Sequence, residues 1–258
     1  MTRPIKTGRK QRFAMALDPA RFALCAGIDL DPWQQDVMNF SGSRLLMNCH
    51  RQSGKSTVVA LKAMWTALYD HALVLLLSPS LRQSRELFKK VTTIYQLLGR
   101  PVSPAVNNQL ELELSSGGRI VSLPSEEATI RGYSGPRLVI MDEASRIPSA
   151  LFEAIIPMQS VSGGSLILLS TPWGKRGFFY EAWNRGQNWT RISVKATDCP
   201  RIPKAFLEEQ RKSMGDRWYR QEYGCEFVES DDQLIRDDFI DRAIRADIEP
   251  LKFDWSFT

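Results

Sequence analysis

RLLMNCHRQSGKSTVVALKAMW, residues 44–65, decides the fold. The apolar run Leu45 to Asn48 feeds directly into Cys49-His50-Arg51-Gln52-Ser53-Gly54-Lys55-Ser56-Thr57. Apolar Val58, Leu61, Trp65 and Leu68 then recur at spacings of three and four, which predicts a helix over Lys55 to Tyr69. A strand, a loop and a helix in that order are the setting of a phosphate loop (Walker A). The segment matches G-x-x-x-x-G-K-[ST] everywhere except the first glycine, which is Cys49. Gly54 lets the backbone approach phosphates, and the N–H groups from Gln52 and Ser53 to Thr57, at the start of the helix, supply partial positive charge. Lys55 is placed to reach the β and γ phosphates of ATP, and Ser56 to hold Mg²⁺. Arg51 is unusual inside such a loop. Its guanidinium either contacts the γ phosphate in cis or braces the loop by pairing with a carboxylate.

Further along the chain, buried strands alternate with helices. ALVLLLS at 72–78 is unbroken apolar strand, and Leu81 to Leu98 reads as a helix. Leu110 to Leu114 and Arg119 to Leu123 flank the turn Ser115-Ser116-Gly117-Gly118 and predict a hairpin. LVIM at 138–141, a helix near 149–158 and SLILLS at 165–170 complete the pattern, which predicts a parallel sheet covered on both faces. Upstream, Phe13 to Ala26 reads as one helical stretch, and Asp29-Leu30-Asp31-Pro32 opens a helix near Trp33 with Pro32 at its first position. Downstream, Pro203 to Met214 and Asp216 to Gly224 read as helices and Cys225 to Val228 as a short strand. Glu229 to Pro250 reads as an acidic linker with one helix.

Two further strand ends carry chemistry. LVIM ends in Asp142-Glu143 (Walker B), where an aspartate can hold Mg²⁺ through water and the adjacent glutamate can activate an attacking water. SLILLS ends in Ser170-Thr171-Pro172, small hydroxyls placed to sense the γ phosphate and pass on its loss.

Composition restricts the function classes. Of 258 residues, 43% are hydrophobic and 24% charged, an ordinary globular balance. No apolar run approaches the roughly 18 residues of a membrane span, and the first residues lack the apolar segment of a secretory signal, so a cytoplasmic protein with no membrane partner is expected. Cys25, Cys49, Cys199 and Cys225 lie far apart and only His50 and His71 accompany them, which argues against a zinc site and for reduced thiols. From Glu229 onward nine acidic and four basic residues give −5, leaving 30 basic against 20 acidic residues, or +10, in residues 1–228. A basic body suits a polyanion such as double-stranded DNA. Arg82, Arg85, Lys89 and Lys90, whose spacings of three and four put them roughly on one face of a predicted helix, Lys175-Arg176, and the arm holding Arg3, Lys6, Arg9, Lys10 and Arg12 are candidate contacts. All of these residue types also occur on solvated surfaces.

RQSGKS, LVIMDEAS and LLSTP in this order resemble the ATPase domain of the large terminase subunit, the motor that packages DNA in tailed bacteriophages. The resemblance runs from DPWQ at 31–34 to RQEYGCEF at 220–227, and a phosphate loop carrying Arg51 after a non-glycine start agrees with it. It implies an α/β, RecA/ASCE-type P-loop NTPase whose mostly parallel central sheet is flanked by helices, with a small C-terminal helical lid. The expected divisions are a basic arm and helix (1–30), ATPase core (31–200), lid (201–230) and acidic linker (231–258). It further implies Arg51, Lys55 and Ser56 at the phosphates and Mg²⁺, Asp142 on Mg²⁺, Glu143 as catalytic carboxylate and Ser170-Thr171-Pro172 as coupling motif. Trp33 and Gln34 resemble an adenine-recognition segment, and Arg131 resembles an arginine offered to a neighbouring subunit's nucleotide. The implied partners are DNA, the portal protein and the small terminase subunit, in a homo-oligomeric ring in the host cytoplasm. Relatives usually continue into a nuclease, whereas here Asp254 alone cannot make a two-metal site, so nuclease activity is not expected. A shortened chain and an ATPase-only relative both fit that ending. Two competing readings are a helicase fragment, disfavoured because no second phosphate-binding core follows residue 175, and a nucleotide-gated assembly module, disfavoured by Glu143.

Overall fold

A computed structural model describes residues 9–125, 130, 132–229 and 243. Eight strands form one sheet in the order β3-β4-β5-β2-β6-β7-β1-β8. They are β1 (Arg44–Cys49), β2 (Leu73–Ser78), β3 (Pro104–Asn107), β4 (Glu111–Leu114), β5 (Arg119–Pro124), β6 (Leu138–Asp142), β7 (Ser165–Ser170) and β8 (Thr190–Val194). From β5 to β8 every neighbouring pair is parallel, while β4 pairs antiparallel with β5 and with β3. The sheet is therefore mostly parallel, and the predicted hairpin is its antiparallel edge.

Helices α1 (Arg9–Leu17), α2 (Pro19–Cys25), α3 (Pro32–Asn39), α4 (Lys55–Tyr69) and α5 (Leu81–Leu97) precede the hairpin. After it come α6 (Ser149–Ser162), α7 (Gly177–Asn184), α8 (Lys204–Met214) and α9 (Asp216–Glu222). Alternation along each strand divides the core. Leu45 and Met47 of β1 pack with Phe22, Val37 and the α4 residues Val58, Leu61 and Met64, whereas Leu46 packs on the other face with Leu151, Ile155, Phe178 and Phe179. Both faces are buried, so the central strands read as continuous apolar runs. Phe178 and Phe179 are core residues, and Phe227 packs beside them.

Three sequence expectations change. The stretch 13–26 is two helices, because Asp18 leaves helical geometry at φ −130° and its carboxylate accepts from Ala20 and Arg21 N–H, with Pro19 opening α2. Cys225 to Val228 is not a strand. Its main chain is fixed from other elements: Asn48 Nδ2 donates to Cys225 C=O at 2.8 Å and Glu226 N–H to Arg220 C=O. Strands β3 and β8 are additions, edge strands whose side chains are largely exposed and so carry no apolar signature. The first residues of the arm, Asp254 and, apart from residue 243, the linker at 231–258 lie outside the described residues. Among the described residues, no helix is long and apolar enough to cross a membrane.

Candidate nucleotide site

The carboxyl ends of β1, β7 and β6 lie side by side, with β7 between the phosphate-loop strand and the acidic strand. The three motifs therefore meet at one edge of the sheet. Gly54 adopts φ 91° and opens α4 as its N-cap. That left-handed geometry favours glycine, and a Cβ there would come within 2.7 Å of Gln34 Nε2. Gln52 is also left-handed, at φ 60°. Ser53 is buried and its Oγ accepts from Lys55 N–H at 3.3 Å, while Thr57 N–H donates to Gly54 C=O within the first turn.

Lys55 is buried at 6% exposure and ties the motifs together. Its Nζ lies 3.4 Å from Glu143 Oε1 and donates to Thr171 Oγ1 at 3.3 Å. Thr171 Oγ1 in turn donates to Cys49 C=O at 3.2 Å. One ammonium thus touches the ends of β6 and β7 from within the phosphate loop.

Asp142 is buried at the end of β6, lines one cavity with Ser56, and accepts from Glu143 N–H at 3.0 Å. Burial first, then the neighbouring Glu143 charge, push its pKa up to about 6, against the pull of Lys55, Ser56 and Lys90. Glu143 itself adopts φ 52°, a left-handed conformation that turns it out of the strand line into the cavity it shares with Asp142. A divalent cation would offset the two adjacent carboxylates. Among the described residues no cluster of three or more His, Cys, Asp or Glu side chains forms a metal cage. Ser56 and Asp142 fit instead the sparse donor set of Mg²⁺, which completes its shell with water and phosphate oxygens.

The raised Asp142 pKa gives a signed pH prediction. The folded state binds this proton more tightly than the unfolded chain, so the contribution to stability is complete below about pH 4 and is lost as pH rises through about 6. Nucleotide affinity that depends on Mg²⁺ should move oppositely, weakening as pH falls through about 6. Melting curves of wild type and Asp142→Asn from pH 5 to 8 isolate the first effect: the stability gained on acidification should shrink in the variant. Identical profiles would remove Asp142 as the group responsible.

Around the end of β7, Ser145 Oγ lies 2.6 Å from Ser170 Oγ, and both hydroxyls reach Thr171 C=O, at 2.9 and 2.8 Å. Pro172 is buried, and the chain continues to Trp173. Arg146 lies 4.1 Å over the Trp173 ring, which is 6.2 Å from Trp218 of α9. Packed side chains therefore run from the site to the C-terminal helices. Sequence reasoning misses Ser145, although it follows the acidic pair closely.

Of the two roles open to Arg51, this structure displays pairing with a carboxylate: Nε lies 2.8 Å from Glu222 Oε2, and Arg51 N–H donates to Glu222 C=O. Glu222 lies 171 positions away, and its local sequence gives no hint of the contact. Gln34 is buried against Gly54, and its Oε1 accepts from Asp31 N–H at 3.0 Å in a capping box. Trp33 is half-buried against the core. Asp31 also makes a bidentate pair with Arg201, at 2.8 and 2.6 Å. Arg131 lies outside the described residues.

The basic set on α5 does not share one face. Arg85 and Lys89 line a groove with Asn108, whereas Lys90 lines the cavity of Asp142 and Glu143. A step of one residue turns a helix by about 100°. Lys175 pairs with Glu229 at 3.1 Å. The four cysteines are free thiols, and burial pushes the thiols of Cys49 and Cys225 up, the latter to about 12.

A family model described as terminase large subunit, T4likevirus-type, N-terminal, matches residues 47–241. The chain is similar to the large terminase subunit of Thermus virus P23-45, with 29% identity and 69% of this chain and 44% of that protein covered. It is also similar to the large terminase subunit of Escherichia phage T5, with 23% identity and 72% and 44% covered. The chain spans about 44% of the length of these curated relatives. Among solved structures, the Thermus phage P74-26 large terminase ATPase domain matches with TM-score 0.70 and 22% identity, over 81% of this chain and 98% of that one. The large terminase of another thermophilic bacteriophage, solved in complex with ADP, matches with TM-score 0.59 and 13% identity, over 83% and 52%. The structural likenesses show a common fold.

Proposed function

The chain belongs to the terminase large subunit family, T4likevirus-type, N-terminal, and from that premise we propose that it hydrolyses ATP with Mg²⁺ to drive double-stranded DNA into a viral procapsid. The observation that carries the reading is Lys55 Nζ, placed within 3.4 Å of both Glu143 Oε1 and Thr171 Oγ1. A nucleotide entering the phosphate loop competes for that ammonium. When Lys55 turns to the β and γ phosphates, Glu143 is released to accept a proton from the attacking water, and Thr171 loses a partner.

Mg²⁺, when bound, would supply positive charge to offset the charge that develops on the transferring phosphoryl group. Asp142 and Ser56 would hold it; Ser53, Gly54 and Thr57 place N–H groups around the phosphates, with Gln52 shaping the loop. Gln34, fixed over Gly54, and its neighbour Trp33 are the residues that would meet the base. Thr171 communicates the change through Ser170, Pro172 and Trp173 to Trp218. Double-stranded DNA binds through phosphate contacts to basic surface, without base preference. The motor works as a homo-oligomeric ring with a portal protein and a small terminase subunit, in the bacterial host cytoplasm.

A steady-state ATPase assay with and without double-stranded DNA tests the reading. Turnover that rises with DNA is expected. Tight ATP binding with no turnover under either condition would replace the motor with a nucleotide-gated assembly module.

A further inference from the structure

The cavity that holds Asp142 and Glu143 has a wall that the phosphate loop does not supply. Its volume is about 150 Å³, room for several waters, and its far side is formed by Ser78, Gln83 and Lys90. Ser78 ends β2 one position beyond the Leu77–Met141 pairing, so the sheet register sets it level with Asp142 on the adjacent strand. Its side chain is buried at 1% exposure, and Oγ has no hydrogen-bond partner within the protein.

Neighbouring serines behave differently. Ser80 Oγ donates to Gln83 Oε1 and accepts from Gln83 N–H, Ser84 Oγ donates to Ser80 C=O, and Ser122 Oγ donates to Ser84 C=O. Local bonds of that kind are the usual fate of a serine near a helix start. Ser78 makes none, and an unpaired buried hydroxyl destabilises a fold. Ser78, which carries this unpaired atom, is a lining residue of the cavity in which the catalytic carboxylate would meet water.

We propose that Ser78 is a positioning residue for hydrolysis: its hydroxyl holds the water that Glu143 activates. The inference rests on the ATPase reading above. A bound water needs two to four polar partners, and Ser78 Oγ, the Glu143 carboxylate and the γ phosphate supply three. The water oxygen bonds to the γ phosphorus, and the bond from that phosphorus to the bridging oxygen breaks. ADP leaves with the electron pair, and the water proton passes to Glu143. Ser78 donates its own proton to the water oxygen or accepts one of its hydrogens, and is unchanged at the end.

The test compares wild type with Ser78→Ala in three measurements: thermal melting, Mg²⁺-dependent affinity for a non-hydrolysable ATP analogue, and turnover with DNA. Alanine removes an unpaired buried hydroxyl, so the melting temperature should hold or rise. Analogue affinity should stay within about twofold, while kcat falls roughly 2- to 10-fold, the range of one lost hydrogen bond between neutral partners. A lower melting temperature, or weaker analogue binding, makes the hydroxyl structural or part of the nucleotide pocket and overturns the proposal. An active wild type matched by Ser78→Ala overturns it alone. A wild type that turns over no ATP overturns the ATPase reading together with it.

Discussion

Lys55→Ala and Glu143→Gln should produce two different inactive proteins. Lys55 Nζ is the buried cation between Glu143 and Thr171, and it also pulls down the raised Asp142 pKa. Removing it strips the phosphate loop of its charge for the β and γ phosphates and leaves two adjacent carboxylates without their nearest cation. ATP affinity should fall, and binding that survives should depend more steeply on Mg²⁺. Glu143→Gln retains an amide oxygen where Oε1 meets Lys55, so the loop and its hydrogen bonds persist, but the proposed base is gone. Nucleotide should bind as in wild type while turnover drops by roughly 10²- to 10⁴-fold, the range for loss of a positioned general base. Equilibrium binding of a fluorescent ATP analogue beside steady-state turnover separates the two. Equal affinities in both variants, with hydrolysis intact in Glu143→Gln, would remove Glu143 as the base.

What the sequence makes legible follows from what leaves a local trace. A strand buried on both faces must be apolar throughout, so β1, β2, β6 and β7 are visible as runs, and a phosphate loop must place glycine and lysine at fixed spacing. Strands β3 and β8 are exposed edges and leave no such trace. Helix starts are readable where a capping residue precedes proline. Asp31-Pro32 reads that way, yet Asp18-Pro19 carries the same signal and divides the first helical stretch in two.

Site residues divide along a similar line. Lys55, Asp142 and Thr171 stand at or beside strand ends, and the sheet order brings those ends together. Glu222 reaches Arg51 only through tertiary packing, with no local pattern to announce it. Ser78 is the instructive case. It ends an apolar run just as Ser170 does, and the same logic of a hydroxyl at a buried strand end would have found it. The basic residues of α5 fail for a geometric reason, since Lys90 next to Lys89 cannot share its face and turns to the acidic cavity instead.

The charge that develops on the transferring phosphoryl group demands a cation beyond Lys55, and the arginines described around the site are engaged elsewhere. Arg51 pairs with Glu222, Arg201 with Asp31, and Arg146 lies over Trp173. Arg131, assigned by the family resemblance to a neighbour's nucleotide, falls in sequence between two anchored residues: Ile130 is fully buried, and Tyr133, whose N–H donates to Ile130 C=O, packs against the second core cluster. An arginine supplied in trans accelerates phosphoryl transfer by roughly 10³- to 10⁵-fold where the device operates. On the proposed ring, isolated chains should therefore hydrolyse slowly, and specific activity should rise with protein concentration or with DNA that promotes assembly. The decisive experiment mixes Arg131→Ala with Glu143→Gln, each nearly inactive alone. In a mixed ring some interfaces combine an intact Glu143 with a neighbour's intact Arg131, so turnover should return at those interfaces only, in proportion to their statistical frequency. If mixing restores nothing where wild type assembles and hydrolyses, Arg131 does not act across the interface. Arg51, released from Glu222, then becomes the cation that must reach the γ phosphate, and Glu222→Gln should raise turnover by freeing it.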